Sequence, residues 1–411
     1  MKNYIKSTNP LKFLSVLKQR KNKFKKAAQT PIPEVYPVNA LAKKLHPARQ
    51  YVKIASIVER GADCKTFRFV PDNLRGTEEL AYFSAGKYVT VFLNIAGVPL
   101  TRAYSLNSSP KESLKTAASL GFYEITVKGV KDGIVSSYIL QNWKTGDSVE
   151  LSAPEGHFEY VGLRDAPVVV GIAGGSGITP FLSMAKAICD GTESFKLILL
   201  YGSRDASSIL FKKEFDELEK QSNLVQVIHV LSNEEAFEAV QHDVEGKFEK
   251  GFITSELIKK YAPQENYSVF LCGPQAMYNF AGKELQKLPL EKKFVRYELF
   301  GEIHSAKAQK NYPGCNSPEV NVTVAICGQV KTVQGSADDT IMQILEKNGI
   351  QVPARCRSGE CGWCHSYLKS GKVFIPQEMD LRRKADEKFN FIHPCCTFPL
   401  TDIEIEVPNT L

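Results

Sequence analysis

Three cysteines fall within nine residues in the stretch "ARCRSGECGWCHS" (Ala354–Ser366): Cys356, Cys361 and Cys364, spaced C-x4-C-x2-C. A cysteine pair, Cys395 and Cys396, follows about thirty residues later. Thiolates in this density hold a metal or form disulfides. Structural zinc sites usually pair two short C-x2–4-C knuckles, whereas here three candidates share one loop and a fourth arrives alone. That arrangement fits a [2Fe–2S] cluster held by Cys356, Cys361, Cys364 and one of the pair Cys395 and Cys396, with zinc as the competing metal. Small residues in the loop (Ser358, Gly359, Gly362) let backbone N–H groups approach the sulfurs. Arg357, Glu360 and Trp363 read as exposed neighbours, the first places for a partner's footprint. Cys64, Cys189, Cys315 and Cys327 read as core or incidental thiols.

A cluster of this kind moves single electrons and needs a source. Upstream, "TRAYSLNSS" follows a strand. Arg102 offers a fork for a pyrophosphate, Tyr104 a ring to stack on an isoalloxazine, and Ser105 a hydroxyl for flavin N5. In "DGIVSSYIL", Gly133, Ile134, Val135 and Ser136 stand at a helix start, where N–H groups bind phosphate; the plain alternative for Ser136 is an N-cap. The glycine-rich turn "GGSGITPF", with Gly174, Gly175, Gly177 and Thr179 before Pro180, links a buried strand to a helix and can cradle a dinucleotide. Cys272 in "FLCGPQAM" ends another strand, with Gly273 and Pro274 shaping the turn. Ser203 and Arg204, with Lys212 and Lys213 beyond, can receive a 2′-phosphate and so favour NADPH, although Asp205 dilutes their charge.

The elements around these motifs change character along the chain. Residues 48–162 alternate apolar and polar in short strands, the pattern of an antiparallel β-barrel. Residues 163–302 alternate apolar runs ("PVVVGIA", "FKLILLYG", "NYSVFLCG") with amphipathic stretches, the pattern of a parallel sheet covered by helices. Residues 303–318 read as a linker, and 319–411 as a small α+β unit. That unit comprises a hairpin, the helix "DTIMQILEKNG", the cysteine loop and an edge strand, "DIEIEV".

The first 47 residues stand apart. Residues 1–50 carry twelve Lys and Arg against one acid, while the remainder is slightly acidic. A basic leader on an acidic body does not describe a nucleic-acid binder. A helix after Pro10 would place Phe13, Val16, Leu17 and Phe24 on one face, suited to an anionic membrane surface or a partner. Pro31, Pro33 and Pro37 read as a linker. No stretch reaches the roughly 18 to 20 apolar residues needed to span a bilayer, and the start lacks the apolar core of a secretory signal. The expected location is cytoplasmic, with the leader able to meet the inner face of the membrane.

In order and spacing, "RAYS", "GIVSS", "GGSGITP", "CGP" and "YELFG" resemble the ferredoxin–NADP reductase superfamily, and the last ninety or so residues resemble a plant-type ferredoxin domain of β-grasp fold. The tail "CCTFPLTDIEIEV" is similar to that family's fourth-ligand segment, where the ligand stands four residues before a proline; Pro399 then selects Cys395 and turns Cys396 away. The resemblance implies a flavin domain, a nicotinamide domain and a ferredoxin domain in one chain, with Glu298 near the flavin–nicotinamide stack. It favours FAD, because "DGIVSSYI" and "APEGHF" look like the FAD-binding branch. It also favours NADH, which reductases of this fused type more often use. The implied activity is electron transfer from NAD(P)H through FAD and the cluster to a partner redox protein such as an oxygenase, hydroxylase or demethylase. A redox sensor or scaffold without sustained turnover is the alternative.

Overall fold

The computed structural model describes residues 10–27, 35–61, 63–130, 133–240, 248–299, 303, 305–376 and 384–408, without the side chains of 10–13, 234, 240 and 384. Residues 1–44 and 45–411 form separate compact units. In the first, helix α1 (Pro10–Lys26) exposes Leu14, Val16, Leu17 and Phe24 and ends in Lys23, Lys25 and Lys26. Phe13, Pro31 and Pro33 of the predicted stripe and linker lie outside the described side chains and residues. Pro37 is not linker: it opens helix α2 (Pro37–Leu45). Proline is favoured in the first helical turn because its missing N–H would have no partner there.

Among the described residues the second unit holds three large sheets in succession and one two-stranded sheet. Strands β1 (Gln50–Glu59), β2 (Cys64–Pro71), β3 (Tyr88–Ile95), β4 (Val98–Ser105), β5 (Tyr123–Lys128) and β6 (Ser148–Leu151) form an antiparallel sheet in the order β4-β3-β6-β1-β2-β5. It curls until Leu106, just beyond β4, bridges Ile125 of β5 at the opposite edge. The curl closes on Val52, Phe67, Phe69, Val89, Val91 and Ile125, all buried. Helix α3 (Ile134–Asn142) caps this core through Val135 and Ile139.

Strands β7 (Val168–Gly174), β8 (Lys196–Ser203), β9 (Val225–Leu231), β10 (Phe248–Lys250), β11 (Tyr267–Cys272) and β12 (Val295–Glu298) form a wholly parallel sheet, ordered β10-β9-β8-β7-β11-β12. Helices α4 (Thr179–Cys189), α5 (Lys212–Gln221), α6 (Glu234–Val240), α7 (Ser255–Tyr261) and α8 (Gln275–Leu285) connect them. Coverage on both faces is why β7, β8 and β11 are apolar almost throughout rather than alternating. The strand order reverses between β7 and β11. In open α/β sheets the crevice beyond the carboxyl ends of such a pair is where ligands bind.

The third sheet runs β14-β13-β19-β15-β17, from β13 (Glu319–Ile326), β14 (Gln329–Ser336), β15 (Ser366–Ser370), β17 (Phe391–Ile392) and β19 (Ile403–Val407). Strands β16 (Val373–Phe374) and β18 (Phe398–Pro399) pair beside it. The segment "DIEIEV", predicted at an edge, is a central strand: β19 runs parallel to β13 and antiparallel to β15. Its Ile403, Ile405 and Val407 face the core while Glu404 and Glu406 alternate outward, a pattern that edge and centre share when one sheet face meets solvent. Residues 303–318 are also less free than a linker. Ile303 and Ala306 are buried, and Ser305 Oγ and the Lys307 backbone N–H both donate to Asp338, at 3.1 and 3.0 Å.

Helix α9 (Ile341–Lys347) packs its Ile341, Met342, Ile344 and Leu345 into the ferredoxin-like core. A capping box starts it: Thr340 Oγ1 accepts from Gln343 N at 3.2 Å, and Gln343 Oε1 accepts from Thr340 N at 2.9 Å. Thr340→Ala should lower the stability of this module by about 1 kcal/mol, read as a lower urea midpoint for loss of its tertiary signal.

Candidate active site

The carboxyl ends of β4, β7 and β11 meet at one cavity of about 1210 Å³. It is larger than the roughly 300–1,000 Å³ usual for one small-molecule pocket, as two neighbouring ligands require. Arg102, Tyr104 and Ser105 line it from β4, Gly133 to Ser136 from the start of α3, and Gly174, Gly175, Gly177 and Thr179 from the turn after β7. Cys272, Gly273 and Pro274 line it beyond β11, and Cys356 reaches it from the cysteine loop. Ser203 and Arg204 do not line it. They stand at the end of β8, where Arg204 is exposed and lies 3.5 Å from Asp205 Oδ2.

Two helix starts face this space without side-chain caps, α3 after Gly133 and α4 after Ile178. A helix start without a side-chain cap can present first-turn N–H groups to phosphate oxygens, although at α4 the Thr179 N–H is already bonded to the Ser176 carbonyl. Ser136 is not the N-cap; that position is Gly133, and Ser136 Oγ instead accepts from Val130 N at 3.2 Å. The turn after β7 also requires glycine sterically. A Cβ on Gly177 would collide with the Cys272 carbonyl, so only glycine lets this turn pass so close to β11.

Cys272 and Glu298 are cross-strand neighbours on β11 and β12. Both are buried, and Ser105 Oγ donates to Glu298 Oε2 at 3.2 Å, joining the barrel to the parallel sheet. The Tyr278 hydroxyl fixes the strand end by donating to the Glu298 carbonyl. Phe300 and Gly301 of "YELFG" lie outside the described residues. Burial, then the negative charge of Glu360, holds the Glu298 carboxyl well above the ordinary glutamate range. Burial, then Glu298, raises the Cys272 thiol likewise.

Four of the five cysteines of the loop and tail fall into two pairs. Cys364 Sγ and Cys395 Sγ lie 3.4 Å apart, and Cys356 hydrogen-bonds with Cys361. Backbone N–H groups converge on the sulfurs: Ser358 and Cys361 donate to Cys356 at 3.5 and 3.3 Å, Gly359 to Cys395 at 3.3 Å, and Trp363 to Cys361 at 3.4 Å. Two thiol pairs under a canopy of donors suit a two-iron cluster, with two thiolates for each iron, and donors to sulfur tune such a centre. Cys396 Sγ donates instead to the His393 carbonyl at 3.5 Å and occupies the space a Cβ on Gly359 would need. The other cysteines are scattered, from buried Cys64 to exposed Cys327.

Two expectations about this loop fail. Arg357 is not exposed: it is 2% accessible and bound to Glu346 of α9. Glu360 is half-buried, and both Glu298 and Cys272 feel its charge. A guanidinium beside a carboxylate 11 residues away can be buried where a lone one cannot, and sequence spacing alone does not reveal that partner. Trp363 is exposed as expected. Sequence reasoning also passed over Tyr88 and Glu155. The backbones of the two residues exchange hydrogen bonds at 2.9 and 2.7 Å, and Tyr88 pairs in register with Ser105. The quoted "APEGHF" contained Glu155, but the charge partner that marks it, Arg355, is 200 residues away.

Three family models match in the order of the sheets. They are an oxidoreductase FAD-binding domain over residues 52–160, an oxidoreductase NAD-binding domain over 172–283, and a 2Fe-2S iron-sulfur cluster binding domain over 324–400. The ferredoxin reductase component of 3-ketosteroid-9-alpha-monooxygenase from Rhodococcus rhodochrous is 30% identical over 359 residues, covering 85% of this chain and 94% of its own. The glycine betaine monooxygenase reductase subunit of Pseudomonas aeruginosa is 24% identical over 367 residues, covering 87% and 95%. Among solved structures, phthalate dioxygenase reductase superposes with a TM-score of 0.61 at 25% identity, over 87% of this chain and 97% of that one. Fold, cavity and thiol loop define a three-module flavin and iron–sulfur oxidoreductase. The chain belongs to the ferredoxin–NADP reductase superfamily, among the flavin reductases fused to a C-terminal plant-type [2Fe–2S] ferredoxin domain.

The Glu298 carboxyl provides a pH test. A buried acid whose folded pKa is raised binds more protons folded than unfolded. Its contribution to stability is complete below the ordinary value of 4.5 and is lost as pH rises toward the raised one. Glu298→Gln removes that loss and keeps an acceptor for Ser105. Urea midpoints at about pH 5 and about pH 8 should show the variant gaining on the parent chain as pH rises.

Proposed function

We propose that this chain is an NADH-dependent reductase component serving a partner oxygenase, and that its electrons leave through Cys356, Cys361, Cys364 and Cys395. The observation that carries this reading is the single cavity that the flavin motif, the nicotinamide turns and the first cluster cysteine share. When bound, FAD would supply an acceptor for one two-electron hydride from the nicotinamide and a donor of single electrons to the [2Fe–2S] cluster. The chain's own residues supply position. Tyr104 stacks on the isoalloxazine and Ser105 sets its hydroxyl at N5, while Arg102 and the start of α3 from Gly133 to Ser136 hold the pyrophosphate. Gly174, Gly175, Gly177 and Thr179 cradle the nicotinamide dinucleotide, and Gly273 and Pro274 hold Cys272 at the reacting carbon. Glu298 accepts from Ser105 in a site shielded from water, and such shielding favours hydride transfer over side reactions.

NADH is preferred over NADPH in this reading because Asp205 lies beside Arg204 and offsets the charge a 2′-phosphate would seek. The oxygenase partner is carried over from relatives named as reductase components of monooxygenases. Cys361→Ser should abolish reduction of cytochrome c while NADH-driven reduction of ferricyanide continues. Survival of both activities would remove the loop as electron exit.

The basic leader suits an anionic membrane surface. Among the described residues no helix is long and apolar enough to cross a membrane. On α1, however, exposed Val16, Leu17 and Phe24 accompany a lysine-rich last turn, the composition of a helix lying in an interface. Removal of residues 1–30 should weaken co-sedimentation with vesicles rich in phosphatidylglycerol. Absence of binding by the full chain would retire this part of the reading.

A further inference from the structure

Cys356 stands between two arginines whose side chains each touch a residue of the flavin barrel, Arg355 at Glu155 and Arg357 at Thr101. Arg355 forms an ion pair with Glu155, just beyond β6. Its guanidinium also lies 3.5 Å from the ring centroid of Trp363, whose backbone N–H donates to Cys361 Sγ at 3.4 Å. Arg357 binds both carboxylate oxygens of Glu346 on α9, one at 2.9 Å. Its Nη2 also donates to Thr101 Oγ1 at 3.3 Å, and that hydroxyl donates to the Ala354 carbonyl at 3.1 Å. Thr101 directly precedes Arg102 on the flavin strand. Arg357 holds a left-handed φ of 57°, uncommon for a residue that carries a Cβ and retained where surroundings over-determine it. Side-chain exposure is 20% and 15% in the first pair and 2% and 11% in the second, so salt screens them weakly.

We propose that Arg355 and Arg357 form a two-point clamp that holds the cluster loop on the flavin strand. Electrons then cross from flavin to cluster in one fixed geometry, and the partner must come to the ferredoxin module where it sits. The rival arrangement is a ferredoxin module that swings away from the flavin to deliver each electron. Swinging would separate Arg355 from Glu155 and Arg357 from Thr101, withdrawing Ala354 from its hydroxyl in the same movement. Each turnover would break these shielded contacts and remake them. The clamp leaves Trp363, 39% accessible, as the part of the loop that a partner can touch. Both arginines act through position: neither is assigned contact with the nicotinamide or the flavin ring.

This inference rests on the electron path proposed above, and its test separates the two. The full chain, loaded with FAD and cluster, is mixed rapidly with NADH, and cluster reduction is followed at increasing viscosity and ionic strength. The clamp predicts a rate insensitive to both. In the double variant Arg355→Gln, Thr101→Val the rate should fall at least about tenfold and become viscosity-dependent. Ferricyanide turnover, the visible spectrum and the cluster's midpoint potential should match the parent, and Arg355→Lys should restore part of the rate. A parent rate that already falls with viscosity, or a double variant as fast as the parent, overturns the clamp. Ferricyanide turnover and cluster colour report the electron path itself, so their absence from the parent chain overturns that reading and the clamp with it.

Discussion

A buried hydroxyl-to-carboxyl contact, Ser105 Oγ to Glu298 Oε2 at 3.2 Å, joins the barrel to the parallel sheet, and the reactive centre is arranged around it. Ser105 ends β4 and Glu298 ends β12, so the contact brings together the carboxyl ends of two strands from different sheets. Register does the rest: Cys272 lies opposite Glu298 on one side and Ala173 on the other. The turn after β7 thereby opens onto the same space as the flavin strand. Further contacts between these two modules stay away from the cavity. Ser183 Oγ donates to the Ser108 carbonyl at 2.7 Å, and Lys186 lies 3.1 Å from Glu112. They fix the angle between the sheets without filling the space the cofactors need.

The third module is attached by a different kind of contact. Arg355 pairs with Glu155 across the junction, and Arg357 donates to Thr101 across it while a shielded ion pair with Glu346 holds it within its own module. Removing one partner of such a pair typically costs about 3–5 kcal/mol because the other charge stays buried. That cost stabilises the third module's own fold and fixes the guanidinium that meets Thr101 of the flavin strand. It also explains why a charged residue sits beside a cluster cysteine that otherwise sees backbone and sulfur. A protein passing electrons between bound groups gains from rigidity here, since small displacements reduce rates steeply.

What could be read in the sequence divides by the range of the forces involved. The turns "GGSGITP" and "CGP" were legible because close backbone approach demands glycine whatever the remainder of the chain does, as Gly177 against Cys272 illustrates. The cysteine loop was legible for the same local reason, and its N–H groups do converge on sulfur. Features set by distant partners were not. The strand Ile403–Val407 has the same alternation at an edge or in the centre, and only its pairing with β13 and β15 decides. Arg357 was read as exposed because Glu346 and Thr101, 11 and 256 residues away, hide it. Pro37 carried a usable signal, helix initiation, that its neighbours Pro31 and Pro33 obscured.

The central claim is that nicotinamide, flavin and cluster form one electron path in a single chain. Anaerobic titration of the purified, reconstituted protein with NADH, followed by visible absorbance, tests it most directly. Uptake should reach about three electrons per chain, two at the flavin and one at the cluster, with bleaching of both. Uptake that stops at the flavin's two electrons, with the cluster's colour unchanged after full flavin reduction, would contradict it.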